Sequence, residues 1–173
     1  METKGAETAR RADFQEAVRA PRPEGTCLEL KEEMELFRFL AEAEADGIYC
    51  YFERRDLEPG EALYRENEPA DFVAFILSGR VKIVKETEFK GHSVVMAVHG
   101  PGSFVGEFAL VEGTRRCTSA VAMEPTRVAV LHRDRFDELA GRHPDFALRL
   151  LKTVLRVVYM RLRGLSSRLT SVF

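Results

Sequence analysis

The chain has 173 residues, 45% of them hydrophobic, and a formal net charge of -2 at pH 7. This length and composition suffice for one hydrophobic core with short appendages, and the charge gives no overall electrostatic reason to expect nucleic acid. No apolar run approaches the roughly 20 residues that a membrane span needs, and residues 1–20 are too charged for a signal peptide, so we expect a soluble, cytoplasmic protein.

Two segments precede the β-rich part of the chain. Residues 1–25 are polar and close with a stretch that contains proline and glycine, so we predict a flexible N-terminal arm there. A domain is then predicted over residues 26–143. Its first element is a predicted helix, in which apolar residues recur at helical spacing from Leu30 until Gly47 ends the pattern.

Residues 49–131 change to short β-rich runs separated by turns. The clearest apolar strands are predicted at residues 81–84, 94–98 and 128–131. Period-two stretches punctuated by glycine and proline are typical of a jelly roll or sandwich. We therefore predict a mainly β fold with flanking helices (α+β), namely a jelly-roll-like barrel with an N-terminal helix, a short inserted helix at Glu107 and a long C-terminal helix.

Residues 144–173 are predicted to form that long helix and a tail. One set of apolar residues follows alternating steps of four and three, the spacing of a coiled-coil seam: Leu151, Leu155, Val158, Leu162, Leu165 and Leu169. A neighbouring stripe would cover the barrel: Phe146, Leu150, Val154 and Val157. Because two apolar stripes need two partners, we predict a homodimer through this helix. A single helix folded wholly onto its own domain is the alternative.

A candidate anion site lies in residues 104–118. Gly106 and Glu107 open a short helix, and Arg116 follows at the start of the next strand. Free N–H groups at a helix start favour an anion, and a guanidinium matches phosphate oxygens. Glu107 would repel a phosphate, so its expected partner is a donor such as a ribose hydroxyl. A sugar phosphate satisfies both demands.

This stretch resembles the phosphate-binding cassette of cyclic nucleotide-binding domains, and residues 59–79 resemble the opening hairpin of the same family. The resemblance extends over roughly residues 30–165. It implies that Glu107 contacts the ribose and Arg116 the phosphate, while Gly106 and Ala109 present backbone and Phe108 belongs to the same cassette. Asn67 stands where the family usually has glycine, and asparagine tolerates the positive φ of such a turn.

Cys117 and Thr118 follow the arginine, where the family normally has a small residue and then alanine. Both are included in the expected ligand site. In the family, the first of these positions helps to distinguish guanine from adenine. Since this chain has cysteine there, the base stays open, and the expected ligand is cAMP or cGMP. On the long helix, Arg156 could reach the ligand or belong to a solvated arginine face. Arg161 and Leu162 are the positions expected nearest the base.

The resemblance implies a stand-alone regulatory or sensor domain, not an enzyme, that signals by movement of its C-terminal helix. The four scattered histidines predict no metal site, and we expect no cofactor apart from the nucleotide. A protein effector is expected, whereas DNA binding is not, because the chain ends at Phe173 without a helix-turn-helix. Two alternatives remain: a degenerate, ligand-free interaction scaffold, and a membrane or acidic-partner binder acting through the arginine-rich C-terminal helix.

Overall fold

The computed structural model describes residues 45–88, 92–111 and 113–170, and for residues 45, 46 and 165–170 it describes the backbone alone. The predicted N-terminal arm and most of the first predicted helix lie outside these residues.

The described residues form eight strands and a set of flanking helices. The strands are β1 (Glu53–Leu57), β2 (Ala62–Tyr64), β3 (Phe72–Ser78), β4 (Val81–Glu86), β5 (Ser93–His99), β6 (Phe104–Val105), β7 (Ser119–Ala122) and β8 (Thr126–His132). The α-helices are α1 (Ala45–Ile48), α2 (Arg133–Arg142) and α3 (Pro144–Thr170), and 3-10 helices cover Tyr49–Tyr51 and Glu107–Leu110. The three predicted strands are confirmed as parts of β4, β5 and β8.

The strands form two four-stranded sheets. The first has the order β1-β8-β3-β6 and the second the order β2-β7-β4-β5, and the paired strands are antiparallel. No ladder among the described residues joins the two sheets, so the β-rich unit is a sandwich and not a closed barrel. The predicted class, mainly β with flanking helices, is confirmed.

The first sheet is buried on both faces, which explains the continuous apolar sequence of its central strands. On β3, Val73 and Phe75 pack in a cluster with α2 and α3, whereas Ala74 and Ile76 pack in a second cluster with β4 and β7. Alternate residues of a strand point to opposite faces, so one strand supplies both clusters. The first sheet thus separates a helical layer from the second sheet.

Strand β5 forms an exposed edge of the second sheet. Four of its apolar side chains are about half exposed or more: Val94, Val95, Met96 and Val98. Their apolar run predicts a strand correctly but gives no information about burial, because an edge strand can leave such residues in solvent.

Helix α3 presents apolar residues on two sides. The inner stripe predicted from the sequence is confirmed, since Phe146, Leu150 and Val154 are buried and Val157 packs against them. The predicted seam is divided between the two sides. Leu151 and Val158 are partly buried against the core, while Leu155 and Leu162 are exposed. Two residues outside the predicted seam, Leu148 and Tyr159, are exposed as well, and these four are here called the outer face of α3. The side chains of Leu165 and Leu169 lie outside the description.

Candidate functional site

The centre of the candidate site is the tight approach of Gly106 to Arg116. Gly106 has φ 77° and ψ 24°, and the four-residue 3-10 helix Glu107–Leu110 follows it directly. A Cβ at Gly106 would lie 2.5 Å from Arg116 Nη1 and 3.2 Å from the Phe72 carbonyl oxygen. Both the left-handed backbone and the lack of space require glycine here. The predicted short helix is confirmed, but a single 3-10 turn sums few peptide dipoles.

Arg116 is held in a buried notch. Only 4% of the residue is exposed. Its Nη2 donates to the Phe72 carbonyl oxygen at 2.8 Å and its Nη1 donates to the Gly106 carbonyl oxygen at 3.3 Å. Its guanidinium carbon lies 4.2 Å from the centroid of the Tyr64 ring and 4.4 Å from that of Phe72. Cation–π attraction of this kind strengthens when the charge is desolvated.

Two features show that Arg116 is incompletely paired within the described residues. Burial lowers the pKa of its guanidinium, and the nearest carboxylate oxygen recorded for it, Asp71 Oδ1, lies 3.8 Å from Nη2. Its Nε is buried and has no hydrogen-bond partner among the described residues. A buried donor without an acceptor is rare and unfavourable, so this atom marks a position that an anionic ligand would satisfy.

The predicted hairpin holds the arginine segment in register. Asn67 N donates to the Arg116 carbonyl oxygen at 2.9 Å, and Arg116 N donates to the Glu68 carbonyl oxygen at 2.8 Å. Asn67 has φ 67°, so the prediction that asparagine replaces glycine at a positive-φ turn is confirmed. On the other side, Lys85 Nζ donates to the Cys117 carbonyl oxygen at 2.9 Å. The cassette is therefore bonded on one side to the turn between β2 and β3 and on the other side to β4.

Helix α3 reaches the site through Arg161. Its Nη2 donates to the Phe104 carbonyl oxygen at 2.8 Å, and its guanidinium carbon lies 4.8 Å from the centroid of the Phe104 ring. Its Nη1 lies 3.7 Å from Glu107 Oε1. Burial lowers the pKa of Arg161, while the carboxylate of Glu107 acts in the opposite direction. Glu107 thus has a cation from α3 as its partner.

These groups line a pocket of about 530 Å³. The predicted site residues that line it are Gly106, Glu107, Phe108, Ala109, Arg116, Cys117 and Thr118. Arg156 is exposed and does not belong to the lining, whereas Arg161, one of the two residues expected nearest the base, does. Leu162, the other, is 61% exposed and is also outside the lining.

Several lining residues were not identified from the sequence. They are Tyr64, Ala70, Ile83, Ala97, His99, Val105, Thr114 and Arg115. Tyr64 could have been identified from the sequence, because it lies in the hairpin segment that resembles the family, and that hairpin contacts the cassette. Ile83 and Ala97 come from the paired strands β4 and β5, and their register decides which side chains face the pocket. The sequence alone did not fix that register.

Comparison with known proteins agrees with this geometry. The family model described as "Cyclic nucleotide-binding domain" matches residues 54–143, which is more than half of the chain. The chain belongs to the cyclic nucleotide-binding domain family. The match includes the hairpin, the cassette and α2, and residues of the hairpin and the cassette line the pocket.

Relatives of this cyclic nucleotide-binding domain occur in proteins of different kinds. A cyclic AMP receptor protein of Thermus thermophilus is 31% identical over 121 residues, which are 70% of this chain and 56% of that protein. A lysophospholipase of Phaeosphaeria nodorum is 29% identical over 61% of this chain, but only 7% of that protein is matched. The chain thus spans about half, or much less, of these relatives.

A solved cyclic nucleotide-binding domain from Methylobacillus flagellatus has the same fold. Its TM-score is 0.69 at 27% identity, with 80% of this chain and 81% of that chain covered.

Among the residues that the structure describes, no group of three or more His, Cys, Asp or Glu is placed to hold a metal ion. No helix in this part of the chain is long and apolar enough to cross a membrane.

Proposed function

We propose that this chain is a regulatory module that binds cAMP or cGMP in the pocket and acts without catalysis. The observation that supports this proposal most strongly concerns Arg116. This residue is a buried cation in the pocket wall, and its Nε has no hydrogen-bond partner among the described residues. A cyclic phosphate offers the acceptor that this donor lacks. The relative that is named a cyclic AMP receptor protein supports a nucleotide of this class.

The remaining cassette residues have complementary roles in this proposal. Glu107 accepts a hydrogen bond from the ribose hydroxyl, and the backbone of Gly106 and Ala109 approaches the phosphate. Cys117 and Thr118 line the pocket after the arginine, where their side chains influence the choice between adenine and guanine. Phe108, 66% exposed, lies at the pocket and can cover a bound ligand.

Signalling proceeds through α3 in this proposal. Arg161 lies on α3 and is paired with Glu107, the group that the ribose hydroxyl also requires. A nucleotide that engages Glu107 changes the contacts of Arg161 and therefore shifts the balance of α3 positions. A second copy of the chain, bound at the outer face of α3, or a protein effector in the cytoplasm would receive the change. DNA is not among the proposed partners.

The test is thermal unfolding with and without saturating cAMP, cGMP and 5′-AMP. At 100 times its dissociation constant, a specific ligand stabilises the protein by about 2.7 kcal/mol. We expect stabilisation by a cyclic nucleotide and little by 5′-AMP. Glu107→Gln should reduce it sharply, because the variant loses the charged acceptor. Arg116→Lys should abolish it, because lysine lacks the Nε donor.

Two controls make this result interpretable. Glu88→Gln makes the same chemical change at an exposed residue outside the pocket lining and should respond like the wild type. Unfolding of Arg116→Lys without ligand separates loss of binding from loss of structure, since Arg116 also bonds two backbone carbonyls.

One observation favours a second candidate, a ligand-free interaction scaffold. Both amino groups of Arg116 and the carboxylate of Glu107 already have partners within the protein. A domain that has lost its ligand would be expected to satisfy its own polar groups in this way. No stabilisation of the wild type by any of the three nucleotides would select the scaffold and reject the nucleotide sensor.

A further inference from the structure

Tyr64 is a buried polar residue of the pocket with no role assigned so far. It lies at the end of β2, is 6% exposed and lines the pocket together with Glu107, Arg116 and Thr118. Its ring meets the guanidinium of Arg116 at 4.2 Å and the ring of Phe72 at 6.1 Å, in an edge arrangement. Tyr64 therefore forms one wall of the notch that holds the arginine.

The arginine alone offers a ligand only part of its hydrogen-bonding capacity. A free guanidinium can bind phosphate through two parallel N–H groups. Here Nη1 and Nη2 donate to backbone carbonyl oxygens, and Nε is the buried nitrogen of Arg116 without a partner among the described residues. An anion held at Nε has further oxygens, which require donors from other pocket residues.

The Tyr64 hydroxyl is suited to supply such a donor. Burial raises the pKa of Tyr64 to about 12, so the phenol keeps its proton at neutral pH. Arg116, Glu107 and Arg161 all act on this hydroxyl electrostatically, which places it among the charged groups of the pocket. A hydrogen bond with Thr118 lowers the pKa of Tyr64, so the phenol oxygen lies beside the Thr118 hydroxyl.

We propose that Tyr64 is a ligand-binding residue, whose hydroxyl donates to a non-bridging oxygen of the cyclic phosphate at Arg116 and whose ring positions the guanidinium. Thr118 orients the phenol in this arrangement. The inference rests on the proposed nucleotide-binding function and adds a neutral donor to it. A neutral donor strengthens phosphate binding without competing with Arg161 for Glu107.

The decisive variant is Tyr64→Phe, which keeps the ring against Arg116 and removes the hydroxyl. Isothermal titration calorimetry with cAMP and cGMP should give affinities about 10- to 100-fold weaker than those of the wild type, the effect of one hydrogen bond to a charged group. Unfolding without ligand should remain close to that of the wild type. Tyr51→Phe, the same change outside the pocket lining, should leave the affinity unchanged.

A phosphorothioate pair identifies the oxygen concerned. Each diastereomer of the cyclic phosphorothioate replaces one non-bridging oxygen by sulfur, a weaker acceptor. In the wild type, the diastereomer with sulfur at the oxygen that Tyr64 contacts should bind about 10-fold more weakly than the unmodified cyclic nucleotide. In Tyr64→Phe this diastereomer should bind as tightly as the unmodified nucleotide does to the same variant. The affinity penalty for the other diastereomer should be the same in the variant as in the wild type. Such non-additivity is the mark of a direct interaction.

The outcomes separate this inference from the proposed function. Wild-type binding with an unchanged affinity in Tyr64→Phe would overturn the role of Tyr64 and leave the nucleotide sensor standing. A loss of affinity matched by an equal loss of unliganded stability would reduce Tyr64 to a structural residue. A wild type that binds neither nucleotide would overturn both.

Discussion

At the scale of single residues, Gly106 is the position where the cassette tolerates least change. Ala at this position must adopt a positive φ, which costs about 1–2 kcal/mol, and its Cβ must displace Arg116, an overpacking of about 1–3 kcal/mol. We predict that Gly106→Ala lowers the free energy of unfolding by about 2–5 kcal/mol. Urea unfolding measures the loss, and nucleotide binding should disappear with it.

Gly60 is the matched control for this substitution. It has φ 84°, yet a Cβ there would meet nothing within 4 Å. Gly60→Ala should therefore lose only the conformational part, about 1–2 kcal/mol, and should keep nucleotide binding. Equal losses in the two variants would contradict the close packing of Gly106 against Arg116.

Residues with a local signal were the ones whose place in the pocket lining or in a turn the sequence predicted. Gly106, Glu107 and Arg116 occur within one short stretch, and their types alone suggest an anion and a donor. Asn67 was also predicted, because its turn conformation is a local property. Tyr64 and His99 approach the pocket through strand pairing between distant segments, so neither composition nor spacing identified them.

At the scale of elements, the contact between α3 and the cassette depends on Arg161. Removing its hydrogen bond to the Phe104 carbonyl and its pairing with Glu107 should loosen this part of the helix. We predict that Arg161→Gln lowers stability by about 1 kcal/mol and raises amide hydrogen exchange in α3 beyond residue 157. Hydrogen-exchange mass spectrometry without ligand would detect the change.

Arg156→Gln is the control on the same helix. Arg156 is exposed and outside the pocket lining, so its substitution should leave hydrogen exchange in α3 unaltered. If Arg156→Gln loosened α3 as much as Arg161→Gln does, the effect would arise from charge or helix propensity and not from docking on the cassette.

Helix α3 also illustrates how far periodicity can predict an element. The beginning at Pro144 and the buried stripe of Phe146, Leu150 and Val154 followed from the sequence. The register of the opposite side did not, because Leu151 and Val158 lie at its border and the core takes up part of their surface. Of the three helix positions considered for the ligand, Arg161 lines the pocket, whereas Arg156 and Leu162 do not.

At the scale of the whole molecule, the outer face of α3 defines the expected dimer. Leu148, Leu155 and Leu162 recur every seven residues, Tyr159 lies between the last two, and all are at least half exposed. We predict that the wild type dimerises with increasing concentration and that the double variant Leu155→Glu, Leu162→Glu remains monomeric, because buried like charges repel. Sedimentation velocity distinguishes the two states.

The exposed edge strand supplies the control for dimerisation. Val95 on β5 is 54% exposed, and Val95→Glu introduces the same kind of charge on a different apolar surface. This variant should dimerise like the wild type. Dissociation by Val95→Glu, or dimers of the α3 double variant, would contradict an interface at the outer face of α3.

The global fold was predictable because its strands, turns and helices each have a local pattern. The arrangement as two sheets was harder to predict, since the apolar runs 72–77 of β3 and 128–131 of β8 do not reveal from the sequence which side chains face which layer. A continuous apolar run is compatible with a barrel or a sandwich, and the pairing of distant strands decides between them.

The last described contact of α3 with the cassette sets the reach of the helix beyond it. Arg161 bonds the Phe104 carbonyl oxygen, and the helix continues from Arg161 to Thr170. At 1.5 Å per residue this segment is about 14 Å long. A rotation of about 10° at Arg161 would displace the end of the helix by about 2 Å. A small adjustment of the cassette would thereby be carried to a part of α3 that is remote from the pocket.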